Sequence, residues 1–98
     1  MHKITLVVTA IPNAEEMPAV QEYLKAVLPL FVGAGGKLVK RLKVRETLLG
    51  NPSGMVLVMD FDTAEAVTAL FESAEYQALV PTRDKGFKEM NILLASEM

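Results

Sequence analysis

The 98-residue sequence contains no cysteine, no tryptophan and a single histidine, His2. Without cysteine the chain can form no disulfide, no thiolate nucleophile and no thiolate-ligated metal site. We expect His2, next to the start of the sequence, to be inert. The sequence also lacks a metal-ligand cluster, a serine–histidine–aspartate set and a phosphate-binding loop. We therefore predict no metal and no cofactor.

An excess of charge of one sign and a long apolar run are also missing. Lysine and arginine number 10 and aspartate and glutamate 12, so the net charge is −2. Dedicated nucleic-acid-binding domains usually have a strong basic excess, and we predict no nucleic-acid partner. No run reaches the 18 or so apolar residues of a membrane span, and Pro12-Asn13 interrupts the first apolar stretch without a signal-peptide cleavage site. We expect a cytoplasmic protein with no membrane contact.

The composition favours one domain, residues 1–98, with an apolar surface to cover. Hydrophobic residues make up 51% of the sequence, and the mean hydropathy is +0.29. A chain of this length buries only roughly 60–70% of the surface that it exposes when unfolded. Such an apolar composition suggests that a partner covers part of the folded surface.

Hydrophobic periodicity predicts the order β-α-β-β-α-β. Strands are predicted at residues 3–11, 37–49, 55–61 and 87–95, and helices at 15–34 and 62–81. Asp62 is the expected cap of the second helix, and residues 82–86 are expected to be a loop. This order predicts an antiparallel sheet with strands in the order 4-1-3-2 and both helices on one face. The fold class is therefore α+β, a ferredoxin-like sandwich.

Alternation across the turn at residues 50–53 predicts the content of each sheet face. Leu49 opposite Gly54 places Leu42 with Leu57 under the helices and Arg41 with Asp60 on the other face. That second face is expected to hold Thr5, Val7, Thr9, Val39, Arg41, Lys43, Val56, Val58, Asp60, Asn91 and Leu93. A face open to water should be mostly polar, so this half-apolar face predicts a homodimer with two sheets facing each other.

Three charged residues on the second and third predicted strands are candidate ligand-binding residues. Arg41 is expected beside Asp60, either as a structural ion pair or as the ligand of an anion. Glu46 falls on the apolar face by alternation, so either a bulge re-aims it, or it lies at a rim, or it transfers protons. The other basic residues near Arg41 favour protection of an edge strand over an anion-binding patch.

Tyr76 and Arg83 complete the set of candidates. Both follow the second predicted helix, on a segment that we expect to close over the sheet. The alternative is that Tyr76 and Arg83 only pack against the core.

Residues between Tyr23 and Arg83 also carry a resemblance to a known family. They are Tyr23 with Pro29, Gly35-Gly36-Lys37, Arg41, Glu46 with Leu48 and Gly50, Val58-Met59-Asp60-Phe61, Ser73-Ala74-Glu75-Tyr76-Gln77-Ala78-Leu79, and Arg83. On these residues the chain resembles the domain of unknown function 1330 family of the dimeric α/β-barrel superfamily. It departs from the family pattern at Leu49, Asp60 and Ala74. The resemblance implies a dimeric α/β-barrel fold, but the family has no settled activity.

Two functions stay open at this point. The first is binding or transformation of a small anionic or carbonyl-containing molecule at the sheet or dimer face. The second is a dimerisation or ligand-sensing module without turnover. The resemblance adds that related barrels which bind haem need a placed histidine, and this chain has none in its interior.

Overall fold

The computed structural model describes residues 3–98, so the prediction for His2 lies outside the described residues. The strands are β1 Ile4–Pro12, β2 Lys37–Lys43, β3 Met55–Phe61 and β4 Phe87–Ala95. They form one antiparallel sheet in the order β2-β3-β1-β4. The predicted strand order and the α+β fold class are confirmed.

The helices are α1 Met17–Gly33, α2 Ala64–Glu72, α3 Ala74–Gln77 and α4 Val80–Gly86, with a 3-10 turn at Ala14–Glu16 before α1. Thr63, not Asp62, caps α2, because its side chain accepts a hydrogen bond from the backbone N–H of Ala66. The expectation of a loop at residues 82–86 is wrong, since Pro81 stands in the first turn of a helix, a position that proline favours.

The core lies between the helices and one face of the sheet. Alternate β1 residues Leu6, Val8 and Ala10 are buried, because successive strand residues point to opposite faces. They pack with residues of the helices and of β3. All four phenylalanines and both tyrosines form one connected series of ring contacts, in the order Phe61, Phe31, Phe71, Tyr76, Tyr23 and Phe87.

A β-bulge in β2 overturns the predicted facing of Arg41. Leu38 lies opposite Met59, but Lys40 lies opposite Val58, so Val39 is an extra residue. Directly opposed residues share a face, and an extra residue exchanges the faces of those that follow. Arg41, opposite the buried Leu57, therefore lies on the helix side.

The same bulge moves other β2 residues. Leu42, opposite Val56, lies on the face without helices, and Lys43, opposite Met55, lies on the helix side. Alternation in the sequence had predicted the opposite face for each of these two residues. The strand also ends at Lys43 instead of residue 49, and residues 44–54 form a loop.

The face without helices, called the open face below, is half apolar as predicted for β1, β3 and β4. Its register positions hold both apolar and polar residues. They are Thr5, Val7 and Thr9 of β1, Val56, Val58 and Asp60 of β3, Asn91 and Leu93 of β4, and Lys37, Lys40 and Leu42 of β2.

Candidate functional site

Two tyrosines and an arginine form a hydrogen-bonded series inside the helix layer, called the Tyr–Arg chain below. The hydroxyl oxygens of Tyr23 and Tyr76 are 2.9 Å apart, and Arg83 donates from Nη1 to the Tyr76 oxygen over 3.1 Å. The Tyr23 hydroxyl also donates to Met90 Sδ at 3.9 Å. Both tyrosines are at most 2% exposed, whereas the Arg83 side chain keeps 26% of its surface accessible. A buried polar series thus ends at a partly exposed cation.

Local capping fixes the position of Tyr76. Ser73 begins α3, and its hydroxyl accepts a hydrogen bond from the Tyr76 backbone N–H over 3.2 Å. The same hydroxyl donates to the backbone oxygen of Leu70 over 2.6 Å, which ties the start of α3 to the end of α2. The cap thus fixes the backbone position from which the buried Tyr76 side chain enters the core.

The direction of the protons along the Tyr–Arg chain follows from a count of donors. If Tyr23 donated to Tyr76, the Tyr76 hydroxyl would have no acceptor among residues 3–98, although its ring is buried. If Tyr76 donates to Tyr23 and Tyr23 to Met90, every donor has an acceptor. Buried polar groups are nearly always paired, which favours the second arrangement. In that arrangement Arg83 donates to Tyr76, Tyr76 to Tyr23 and Tyr23 to Met90.

The electrostatics of the chain keep its phenol neutral and its arginine charged. Burial raises the pKa of Tyr23 well above its ordinary value, and the hydrogen bond with Tyr76 raises it further. Burial alone lowers the pKa of Arg83, but its hydrogen bonds with Tyr76 and Asp84 outweigh burial and raise that pKa overall. The site therefore offers a permanent positive charge.

Arg83 lines a cleft between α4 and the helix side of β4, called the Arg83 cleft below. Its volume is about 440 Å³, within the ordinary range for small-molecule sites of roughly 300–1,000 Å³. The lining residues are Arg83, Asp84, Phe87, Lys88, Glu89, Met90 and Ile92. Asp84 accepts a hydrogen bond from Arg83 Nε over 3.2 Å. Nη2 makes no hydrogen bond within the described residues, so it is free to bind a ligand.

The structure brings Tyr76 and Arg83 together and leaves the other three candidates apart. Arg41 and Glu46 are exposed, Arg41 on β2 and Glu46 on the loop that follows. Asp60 lies on the open face and accepts a hydrogen bond from Thr5 Oγ1 over 2.9 Å. The expected pair of Arg41 with Asp60 does not exist, because the bulge at Val39 turns Arg41 to the helix side.

Tyr23 is the site residue that the sequence analysis missed. It lies three residues after Val20 and four before Val27, both of which are buried core residues of α1. A phenol on such a stripe needs a polar partner in the core. That requirement is the signal that could have paired it with Tyr76.

Two further observations limit what the site can be. Among residues 3–98, no three histidine, aspartate or glutamate side chains are grouped to hold a metal ion. Within the same residues, no helix combines the length and the apolar character that a membrane crossing requires.

Comparisons with known proteins place the chain among ferredoxin-like folds. The family model "Domain of unknown function (DUF1330)" matches residues 5–98. A Rhodopseudomonas palustris protein of unknown function is similar with a TM-score of 0.83 and 15% identity, over 99% of this chain and 83% of that one. A Mesorhizobium loti "dabb family protein with a ferredoxin-like fold" has a TM-score of 0.74 and 13% identity, over 100% and 99% of the two chains.

A Bacteroides fragilis protein, described as a "dimeric protein of unknown function and ferredoxin-like fold", has a TM-score of 0.64 and 12% identity. The similarity covers 97% of this chain and 96% of that chain. At these identities the likeness shows the fold alone. No curated protein matches the sequence.

Proposed function

We propose that this chain, which belongs to the domain of unknown function 1330 family, is a homodimer that binds a small carboxylate or carbonyl compound at Arg83. The observation that carries the proposal is the Tyr–Arg chain, which ends at a guanidinium that lines a cleft. A guanidinium is a planar, permanently charged donor suited to a carboxylate or a carbonyl oxygen. The two tyrosines and Asp84 hold Arg83 in place before a ligand arrives.

The direction of the protons supports binding over catalysis. In the arrangement that pairs every donor, each phenol proton is already engaged, by Tyr23 or by Met90, so neither tyrosine offers a proton to a molecule in the cleft without reversal of the series. Asp84 already accepts a hydrogen bond from Arg83. Glu46, the candidate base, lies exposed on the loop after β2. The cleft thus has a cation held in place by its hydrogen bonds, which suits a binding or sensing protein.

The open face supports the homodimer. Apolar residues at its centre, such as Val7 and Val58, lie on a face that no helix covers. The loop after β2 adds Leu48 and Leu49, which are 90% and 96% exposed. A second copy placed on the open face would bury the apolar residues at its centre. The dimeric description of the Bacteroides fragilis protein agrees with this assembly.

The binding proposal is tested by titration of the protein with acetate, monitored by NMR shifts of backbone amides at constant ionic strength. Saturable shifts are expected around Phe87 and Met90. Arg83→Met should weaken binding about 10- to 100-fold, the range of roughly 1.5–3 kcal/mol for hydrogen bonds to charged groups. Arg83→Lys keeps the charge but loses the planar guanidinium, so its affinity for acetate should lie between those of the wild type and Arg83→Met.

Lys85→Met is the matched control. Lys85 lies on the same helix as Arg83, and its side chain is 65% exposed. The substitution removes the same unit of charge, so it should leave acetate binding unchanged. Equal binding by wild type and Arg83→Met would contradict the proposal. The absence of any saturable shift in the wild type would favour the dimerisation module without a ligand.

A further inference from the structure

The helix layer leaves part of β4 uncovered. Ile92 and Leu94 lie opposite Val8 and Leu6 of β1, whose side chains belong to the core. Leu94 is nevertheless 46% exposed, and Ile92 is only partly buried. Two aliphatic side chains that share a face with the core thus remain open to solvent beside α2.

These side chains form the floor of a second cavity, called the apolar groove below. Its volume is about 360 Å³, and Val67, Phe71, Ile92 and Leu94 supply much of its wall. Ile92 also lines the Arg83 cleft, so the two cavities adjoin. The Phe71 ring, in the groove wall, packs edge-on against the Tyr76 ring with centroids 4.6 Å apart. The helix side of β4 therefore has a cation near one cavity and aliphatic side chains around the next.

We infer that the ligand is an amphipathic monocarboxylate, with its carboxylate on Arg83 and its hydrocarbon chain in the apolar groove. The inference rests on the proposed function and adds the class of ligand. The Arg83 guanidinium, which Asp84 contacts through Nε alone, would hold the head group, and burial of methylene groups against Ile92 and Leu94 would supply affinity. Glu72 also lines the groove, so a second carboxylate on the ligand would meet a like charge there.

The test is a series of straight-chain carboxylates, acetate, butanoate, hexanoate and octanoate, titrated below their micelle concentrations by calorimetry or NMR. Each methylene buried in the groove should tighten binding about three- to fourfold. Arg83→Met should weaken every member by a similar factor. Octanoate should also shift amide signals of Val67 and Phe71, which acetate should leave unmoved.

Two variants of the groove make the test specific. Leu94→Asp places a charge in the apolar groove and should weaken octanoate at least tenfold and acetate much less. Leu94→Ala removes only aliphatic surface and should weaken octanoate severalfold. The matched control is Val32→Asp, at an α1 residue that is 63% exposed and outside both cavities, with no effect expected.

The outcomes separate this inference from the proposal on which it rests. Affinity that depends on Arg83 but does not rise with chain length would overturn the groove and leave the binding proposal standing. The groove would also be overturned, with the binding proposal left standing, if both Leu94 variants fold and neither changes the affinity for octanoate. If no carboxylate binds through Arg83, the binding proposal itself fails.

Discussion

Tyr76 joins the core and the candidate site through one oxygen atom. Its ring is 1% exposed and packs between Phe71 and Tyr23, while its hydroxyl meets both Tyr23 and Arg83. Removal of the ring and removal of the oxygen should therefore have different consequences. The first creates a cavity, and the second removes the hydrogen-bond donor of Tyr23 and the acceptor of Arg83.

The hydroxyls of Tyr23 and Tyr76 should be coupled in a double-mutant cycle. Tyr23→Phe leaves the Tyr76 O–H without an acceptor and should cost about 1–3 kcal/mol of unfolding free energy. Tyr76→Phe removes the acceptor of Arg83 Nη1, whose guanidinium can turn to water, and should cost about 0.5–1.5 kcal/mol. The unfolding free energy lost by the double variant should be smaller than the sum of the two single losses, by about 0.5 kcal/mol or more.

Urea unfolding at neutral pH measures each step of the cycle. Tyr76→Ala is the control for the ring, with an expected loss of about 3–5 kcal/mol as for other buried aromatic residues. Strict additivity of the two phenylalanine substitutions would show that the hydroxyls are not paired in solution.

Alkaline pH should destabilise the fold through Tyr23. Its pKa is raised in the folded state, so above about pH 10, the ordinary tyrosine value, the unfolded chain releases a proton that the folded chain keeps. Stability from this group is full below that pH and is lost as the pH rises further. The unfolding free energy should therefore fall more steeply between about pH 10 and 12 in the wild type than in Tyr23→Phe. Parallel profiles for the two proteins would exclude a buried, neutral Tyr23.

At the scale of elements, β2 explains why the site was only partly predictable. Buried strands reveal their faces because one side must be apolar, and β1 and β3 were predicted correctly for that reason. Every residue of β2 is exposed, so alternation there carries no such constraint. Leu38 and Val39 are adjacent apolar residues without a glycine to mark the bulge. The sheet face on which Arg41 lies therefore could not be predicted from hydrophobic alternation.

The α3–α4 segment was predicted in part, because Tyr76 and Arg83 were expected on one segment but residues 82–86 were expected to be a loop. Ser73 as a cap and Pro81 as a helix starter bring Tyr76 and Arg83 to one side of the chain within two turns. The role of Tyr23 depends on its contact with Tyr76, which lies 53 residues later in the sequence. Periodicity alone does not predict such a contact between two helices.

The entry to β2 depends on the absence of a side chain at Gly36. A Cβ atom there would lie 2.6 Å from Phe61 Cζ and 2.8 Å from the backbone oxygen of Phe31. Gly36→Ala should therefore cost about 1–3 kcal/mol, as overpacking usually does. Gly33→Ala is the matched control, since no atom lies within 4 Å of its Cβ position, and it should be neutral or stabilising. Thermal unfolding distinguishes the two, and equal melting temperatures would contradict the close approach.

At the scale of the whole molecule, the two faces of the sheet are assigned different roles. Sedimentation at micromolar concentration should give about twice the chain mass of 10.7 kDa. Val58→Asp places a charge at the centre of the open face and should yield a monomer, because a charge buried there would have no partner. Gln21→Asp on the exposed side of α1 is the control and should stay dimeric. A wild-type monomer at this concentration would refute the assembly.

The connected series of six aromatic rings gives the protein an optical property of its own. With no tryptophan, all near-ultraviolet absorption and circular dichroism come from these rings, and the two tyrosines are neighbours within the series. The tyrosine signal therefore reports on the packing of the core and on Arg83 at once, without any attached dye. A state that kept its far-ultraviolet helical signal but lost the near-ultraviolet tyrosine signal would have a loosely packed interior. The circular dichroism of the unmodified protein would show this change directly.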